Sequence, residues 1–510
     1  MNPLIKQKNI TEREIMRMKL INIIVLVLMI SILVGCQPTV TGNVEVNNEE
    51  QTVDNSSKNL IENVENKRIE LEDPKQVISF IDSGFEDMIR EYYDLGNGDI
   101  LLEDVGYRED LCPERVKYEI NSFEDFKYFK NLKNIVVSGY GIKGNIHDLN
   151  MLTRLETVDL KYTSVSGNID WLSGLDNLEK IDLSATQVTG DIKCLSEMEG
   201  LKYIAFGDMN NETTITGDIE SLSGLSNLEH IKLRKSQIHG NLSSLSKLYN
   251  LKEIDLYYNF IDGDLASLKE LTNLESLAID LLQNYKDLVY GDISYLSGMS
   301  KLRRVNIDST SVTGNLSALS GLKDLYNILL ETPLVEGELS TLKNLNKLKY
   351  LNLKNTGIHG DLDSLNHLTD LERIQLYSDY KIKVDISSLK GLNKLKYINI
   401  KGNNVTGDLS AISTLTSLEE LYLKDTQITG NIASLKELIN LEQINLSDTN
   451  INGDLASLKE LINLEVIDLS NTNVTGDLSV LSELENLYDV IFYNTSITGE
   501  FDVLSVPVGD

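Results

Sequence analysis

The side chains with chemical potential in this chain recur at one place. A glycine followed by Asp or Asn returns from Gly144 to Gly499, and Asp or Asn fills the second position in fourteen of sixteen instances, with Glu338 and Glu500 in the other two. A column of carboxylates on a repeating backbone would suit a row of calcium ions. Asn replaces Asp freely, however, and no second acidic position accompanies it. An oxygen at that point is better placed to cap the turn that follows. His239 and His359 share the place just before the glycine. They are five repeats apart, roughly 24 Å at about 4.8 Å per strand, so they cannot share a metal. Both are expected as solvent-facing corner residues. No Gly-x-Ser-x-Gly, phosphate-binding Gly-rich loop or His-Glu-x-x-His pattern occurs. Carboxylate pairs suited to glycoside hydrolysis lack a concave pocket to hold them. The expectation is no catalytic residue, no metal and no cofactor.

Composition narrows the classes further. The 510 residues carry 47 basic and 78 acidic side chains, a net charge of −31. A nucleic-acid binder needs the opposite balance to replace phosphate counterions, and so does electrostatic docking on anionic lipid. Apolar residues make up 41%, enough for a packed core. Three cysteines, Cys36, Cys112 and Cys194, are too few for a disulfide scaffold or a Cys-rich zinc site. Cys112 and Cys194 are expected to be inert thiols.

The elements that must position these residues follow from the repeat. Twelve of the fifteen marker intervals are 23 residues, and the others are 27, 28 and 24. Numbered by its marker, coil 1 ends at Gly144 and coil 16 at Gly499, with Val384 in place of the glycine of coil 11. Leu455, Leu458, Leu461 and Leu464 recur every three residues, which suits tight 3₁₀-like turns. Ile467 and Leu469 alternate, as in a short strand with one buried face. Leu469 is therefore expected inside and Asp468 on the exposed sheet face. One coil cannot bury its own apolar side, but stacked coils can. The array is expected to form a solenoid with a parallel sheet along one side.

The pattern L-x-x-L-x-x-L-x-x-I-x-L-x-x-T-x-V-x-G-D-L over roughly residues 120–500 resembles the leucine-rich repeat family, and its Thr-x-Val-x-Gly-Asp-Leu half resembles plant-type repeats without their usual proline. The resemblance implies an α/β solenoid of about 16 coils, with a curved parallel β-sheet on the concave side and short 3₁₀ or turn segments on the convex side. The family's ladder asparagine is mostly threonine here, as at Thr163, Thr186, Thr356 and Thr472, with Asn259 and Asn403 as survivors. Residues 76–130 are expected to form an N-terminal cap. Phe85, Met88, Ile89 and Tyr92 share one helix face, and Phe123, Phe126 and Phe129 fill the open end. Its Asp-x-x-Phe-Glu…Gly-Asp-Ile pattern resembles the caps of internalin-like bacterial surface proteins. Residues 131–510 then form the solenoid, with a short C-terminal cap.

Residues 1–35 read as a secretory signal, with the true start at Met16 or Met18. Leu33-Val34-Gly35-Cys36 resembles a bacterial lipobox, which implies lipidation of Cys36. Residues 36–75 are polar and acidic, as expected of a disordered tether. The implied location is the bacterial cell membrane, lipid-anchored and facing outward, with the anchor as the sole membrane contact and a monomeric chain.

Ligand candidates are the residues pointing out of the sheet. Four consecutive coils carry Tyr350 and Lys354, Arg373 and Tyr377, Tyr397 and Lys401, and Tyr422 and Lys424. Tyr and Arg are over-represented in binding hot spots, whereas Tyr also simply suits exposed strands. His230, Lys232 and Arg234 form a smaller second candidate, and insertions near residues 207–212 and 280–287 a third on one lip. These features point to a non-catalytic protein that binds a protein partner on a cell surface through its concave face. The alternatives are a glycan or cell-wall polymer ligand and a structural spacer.

Overall fold

A computed structural model describes residues 68–207, 214–281, 288–377, 381–402 and 404–499 of the chain. The signal segment, Cys36, Asn403, most of each insertion and everything from Glu500 onward lie outside the described residues.

Each coil follows the sequence period. In one of them the strand Asn450–Asp454 leads into a 3₁₀ turn, Leu455–Leu458, and the chain then returns through the strand Val466–Asp468. Leu455, Leu458, Leu461, Leu464, Ile467 and Leu469 are all buried. Three residues per 3₁₀ turn put every third leucine on the same inner edge. Strands such as Val466–Asp468 pair in parallel, each with its counterparts in the coils before and after. The sheet is therefore open and runs from Asp110–Leu111 to Asp489–Ile491. It lines one side of the solenoid, as expected.

A second parallel ladder was not anticipated. The Thr-x-Val-x-Gly-Asp segments also pair, as in Ser164–Asn168 with Gln187–Asp191. They form one sheet from Lys143–Asn145 to Val405–Thr406 and another from Thr429–Asn431 to Ser496–Thr498, bridged at Asp408 and Thr429.

The glycine–acid pair has a packing explanation. The Asp454 side chain accepts a hydrogen bond from the Ala456 N–H at 2.8 Å, capping the 3₁₀ turn. In the next coil, Gly476 has φ 121°, and a Cβ there would lie 2.8 Å from Asp454 Oδ1. The glycine thus seats directly on the capping oxygen of the preceding coil. The longer Glu338 makes no such bond. Among the described residues no group of His, Cys, Asp and Glu is arranged to hold a metal ion. His239 and His359 are exposed and face Asp218 and Glu338 of the preceding coil, at 3.7 and 3.0 Å.

One expectation about a polar residue needs correction. Asp468 lies on the outward sheet face, as expected, but is only 8% exposed there: its Oδ1 accepts from the Ser470 N–H at 3.0 Å and hydroxyl at 2.6 Å. Where the strand ends after three residues, Asp or Asn at this position ties down the backbone two residues on, as Asp182 and Asn445 also do. The threonines at the ladder position bond the loop backbone of their own coil. Thr472 donates to Leu469 O in its own coil at 2.6 Å, whereas Asn259 reaches Leu233 O of the coil before. Seven coils carry a bridging amide elsewhere, in the turn before the sheet. There Asn440, Asn463 and Asn486 donate to Thr416 O, Ile439 O and Ile462 O at 2.8–3.0 Å.

Ahead of coil 1 lies the helix Ser83–Tyr93, with Asp82 as its N-cap and Phe85, Met88 and Ile89 buried. Phe85 meets Phe126 and Phe129 edge to face at 5.0 and 5.8 Å. Large rings fill the end of the core that no preceding coil covers. Among the described residues no helix is long and apolar enough to cross a membrane.

Candidate functional site

The strands Tyr350–Asn352, Arg373–Tyr377, Tyr397–Lys401 and Glu420–Tyr422 lie side by side in register. Tyr350 pairs with Arg373, Arg373 with Tyr397, and Tyr397 with Glu420 across adjacent strands. Because alternate residues share a sheet face, these side chains form one stripe on the side away from the core.

The stripe is internally braced. The Arg373 guanidinium sits 3.7 Å from the Tyr397 ring centre and 3.7 Å from Glu420. Tyr397 and Tyr422 lie 5.6 Å apart, tilted against each other. Asn399 donates to the Tyr397 hydroxyl at 2.8 Å, and the Tyr422 hydroxyl donates to Glu420 at 2.8 Å. Tyr350 donates to Glu372 at 2.9 Å. The Lys354 ammonium lies 6.0 Å from the Tyr377 ring. Tyr350, Arg373, Tyr377, Tyr397 and Tyr422 are all half-buried. Burial raises the Tyr377 and Tyr422 phenols above their usual range, with Glu420 adding to the effect on Tyr422. Burial also raises the Glu420 carboxyl, and Arg373 opposes it.

All eight residues singled out in the sequence fall on this face. The charge of their cations is offset, because each has a carboxylate within 4 Å: Lys354 with Glu331 at 2.9 Å, Arg373 with Glu420, Lys401 with Asp425 at 3.0 Å and Lys424 with Asp448 at 3.8 Å. Glu331 comes from the preceding coil, Glu420 from two coils on, and Asp425 and Asp448 from the next coil. Asp425 and Asp448 carried a signal: with Asn471 and Asn494 they occupy one position per coil, and all four have φ between 54° and 59°. Asp and Asn tolerate that conformation better than most residues. The site offers aromatic area and braced hydrogen-bonding groups rather than net charge.

The second candidate is also paired. His230 and Lys232 approach Glu253 at 3.2 and 2.9 Å, and Arg234 Nε donates to Asp255 at 2.8 Å. Burial acts to raise Glu253, but His230 and Lys232 outweigh it and hold the carboxyl down at about 2. Cys112 and Cys194 are thiols and not a disulfide pair, and burial, with Asp170 nearby, pushes Cys194 up to about 12.

No protein-family model matches the chain, and no curated protein matches it significantly. Solved structures do. A plant peptide hormone receptor in complex with its ligand RGF2 is 20% identical with a TM-score of 0.54, covering 79% of this chain and 74% of the receptor. The leucine-rich repeat ectodomain of the Arabidopsis receptor kinase HAESA, in complex with an IDA peptide hormone, is 21% identical with a TM-score of 0.58, covering 75% and 69%. A leucine-rich repeat protein of Leptospira interrogans is 18% identical with a TM-score of 0.52, covering 77% and 95%. At these identities the likeness speaks for the fold alone, and the fold is a leucine-rich repeat solenoid.

Proposed function

We propose that this chain is a non-catalytic recognition protein that binds a protein segment on its concave sheet, across coils 10 to 13. The observation that carries this reading is the braced stripe of Tyr350, Arg373, Tyr397 and Tyr422. Rigid amphipathic side chains lose little entropy on binding and supply most of the energy in protein interfaces. The two plant receptor structures, solved in complex with RGF2 and with an IDA peptide hormone, fit this reading without assigning a ligand here. A sugar ligand fits less well, since Arg373 already covers one face of Tyr397, the face a sugar ring would stack on.

The lipobox-like Leu33-Val34-Gly35-Cys36 supports the second half of the proposal: a bacterial protein held at the outer face of a membrane by lipid on Cys36. Two or three acyl chains, at about 0.8 kcal/mol per buried CH₂, give firm anchoring. Lipid labelling of the Cys36→Ala protein tests this. The label is expected to vanish, and unchanged labelling would remove the anchor from the account. For the recognition surface, combining Tyr377→Ala with Tyr397→Ala is expected to weaken partner binding by about 2 kcal/mol or more without lowering the melting temperature. Wild-type affinity in that double variant would move the site elsewhere.

A further inference from the structure

Next to the aromatic stripe, toward the N-terminus, the concave sheet changes character. Asp280, Asp308 and Glu331 stand in register on the strands Ser276–Asp280, Arg304–Asp308 and Asn327–Glu331. Like charges directly opposite on adjacent strands repel, so a sheet does not gain stability from this arrangement. The surroundings offset the repulsion only in part. Glu331 is met by Lys354 at 2.9 Å and by the Asn355 amide at 2.9 Å. Asp280 is buried and hydrogen-bonded to Tyr257. Asp308, between them, receives the Ser309 hydroxyl at 3.1 Å and the Ser309 backbone N–H, and it has no cation within 4 Å among the described residues.

A second observation is independent of these acids. Asn306 is on the same strand and face as Asp308, two residues away, and is only 3% exposed. Its Oδ1 has no donor among the described residues, and neither does the Arg304 Nε have an acceptor. The reason is visible in the register: Asn306 is flanked by Ala278 and Leu329, which have no polar atom to offer. A buried amide oxygen without a donor costs about 1–3 kcal/mol. The centre of this face thus presents carboxylates and an unpaired acceptor together, a set that an N–H-rich cation would satisfy.

We propose that coils 7 to 9 form a seat for a cationic side chain, an arginine or lysine of the bound protein segment, held by Asp308 and Glu331 and by the Asn306 oxygen. The proposal rests on the concave-face reading above and deepens it by naming the ligand's charge. Three carboxylates set against Lys354 and Arg304 among the described residues, in a chain of net charge −31, favour a positively charged partner both in the encounter and in the bound state.

The seat also carries a pH dependence. Burial first, and then the charge of Glu331, raise the Asp308 carboxyl to about 6, against the opposing effects of Ser309 and Lys354. Asp280 from the preceding strand and Arg304 from its own strand are the other charged groups on that face. A bound cation favours the ionised form, so binding strengthens as pH rises through about 6.

Two synthetic probes test the seat in the full chain: acetyl-Gly-Arg-Gly-amide and its citrulline counterpart, which keeps the shape and loses the charge. Titration calorimetry near neutral pH is expected to show the arginine peptide binding about tenfold more tightly, with the preference shrinking below pH about 6. Asp308→Asn and Glu331→Gln, each checked for an unchanged circular dichroism spectrum, are expected to abolish the preference. Equal binding of the two peptides, binding of neither, or a preference that survives Asp308→Asn would overturn the proposal. The Tyr377→Ala/Tyr397→Ala variant separates the two claims. It is expected to keep the arginine preference while losing the protein partner, so either claim can fail without the other.

Discussion

Single residues here do structural work that their charge disguises. Asp468 resembles a solvent-facing strand residue in sequence, yet it binds the backbone and hydroxyl of Ser470 from a buried position. Asp468→Ala is therefore expected to cost about 1–3 kcal/mol by leaving the Ser470 donors unpaired, readable by urea unfolding. Asp454 caps a turn, and Asp454→Ala should cost about 0.5–2 kcal/mol. Adding a chelator should leave the melting temperature unchanged, since the capping oxygens are already occupied by N–H groups. Asp308 has the opposite sign. Its carboxyl holds its proton more tightly in the folded chain than in the unfolded one, up to about pH 6. The stability tied to that proton is full below the ordinary carboxylate value of about 4 and is lost as pH rises through about 6. Asp308→Asn should therefore raise the melting temperature near neutral pH and have little effect near pH about 4.

At the scale of the coil, what matters is the fit between neighbours. Leu469 is 1% exposed in a core continuous from coil to coil, and Leu469→Ala is expected to cost about 2–5 kcal/mol. Gly476→Ala should cost more than about 1 kcal/mol, because it combines a positive φ with contact on Asp454 Oδ1. The period, the leucine spacing and the phase of the strands were legible in sequence because each repeats many times and burial obeys simple spacing. The second parallel ladder was not, since Thr-x-Val-x-Gly-Asp carries little strand propensity at its glycine. Nor was the location of the bridging amides. Asn440, Asn463 and Asn486 recur in an L-x-N-L pattern that was in plain view, but which carbonyl an amide reaches depends on the stacking geometry. For the recognition face, the tyrosines and cations were legible and their partners were not. Glu331, Asp425 and Asp448 reach the cations of neighbouring coils, a relation set by register and not by distance along the chain.

Over the whole molecule, one open sheet carries a braced aromatic stripe beside a row of carboxylates, and both belong to the same proposed interface. Because each cation of the stripe is already paired, changing Lys401 and Lys424 to Glu should alter the association rate and its salt dependence modestly, while loss of the tyrosines should act on dissociation. The central claim is that the concave face at coils 10 to 13 is where a protein partner sits. Site-specific photo-crosslinking tests it most directly. A benzophenone amino acid is placed at position 377 on the stripe or at position 459 in the exposed Lys459 turn, and the full chain is exposed to cell-surface protein extracts before illumination. The account predicts a discrete protein adduct from position 377 that unlabelled wild-type chain competes away, and none from position 459. Adducts of equal yield from both positions, or from position 459 alone, would contradict it.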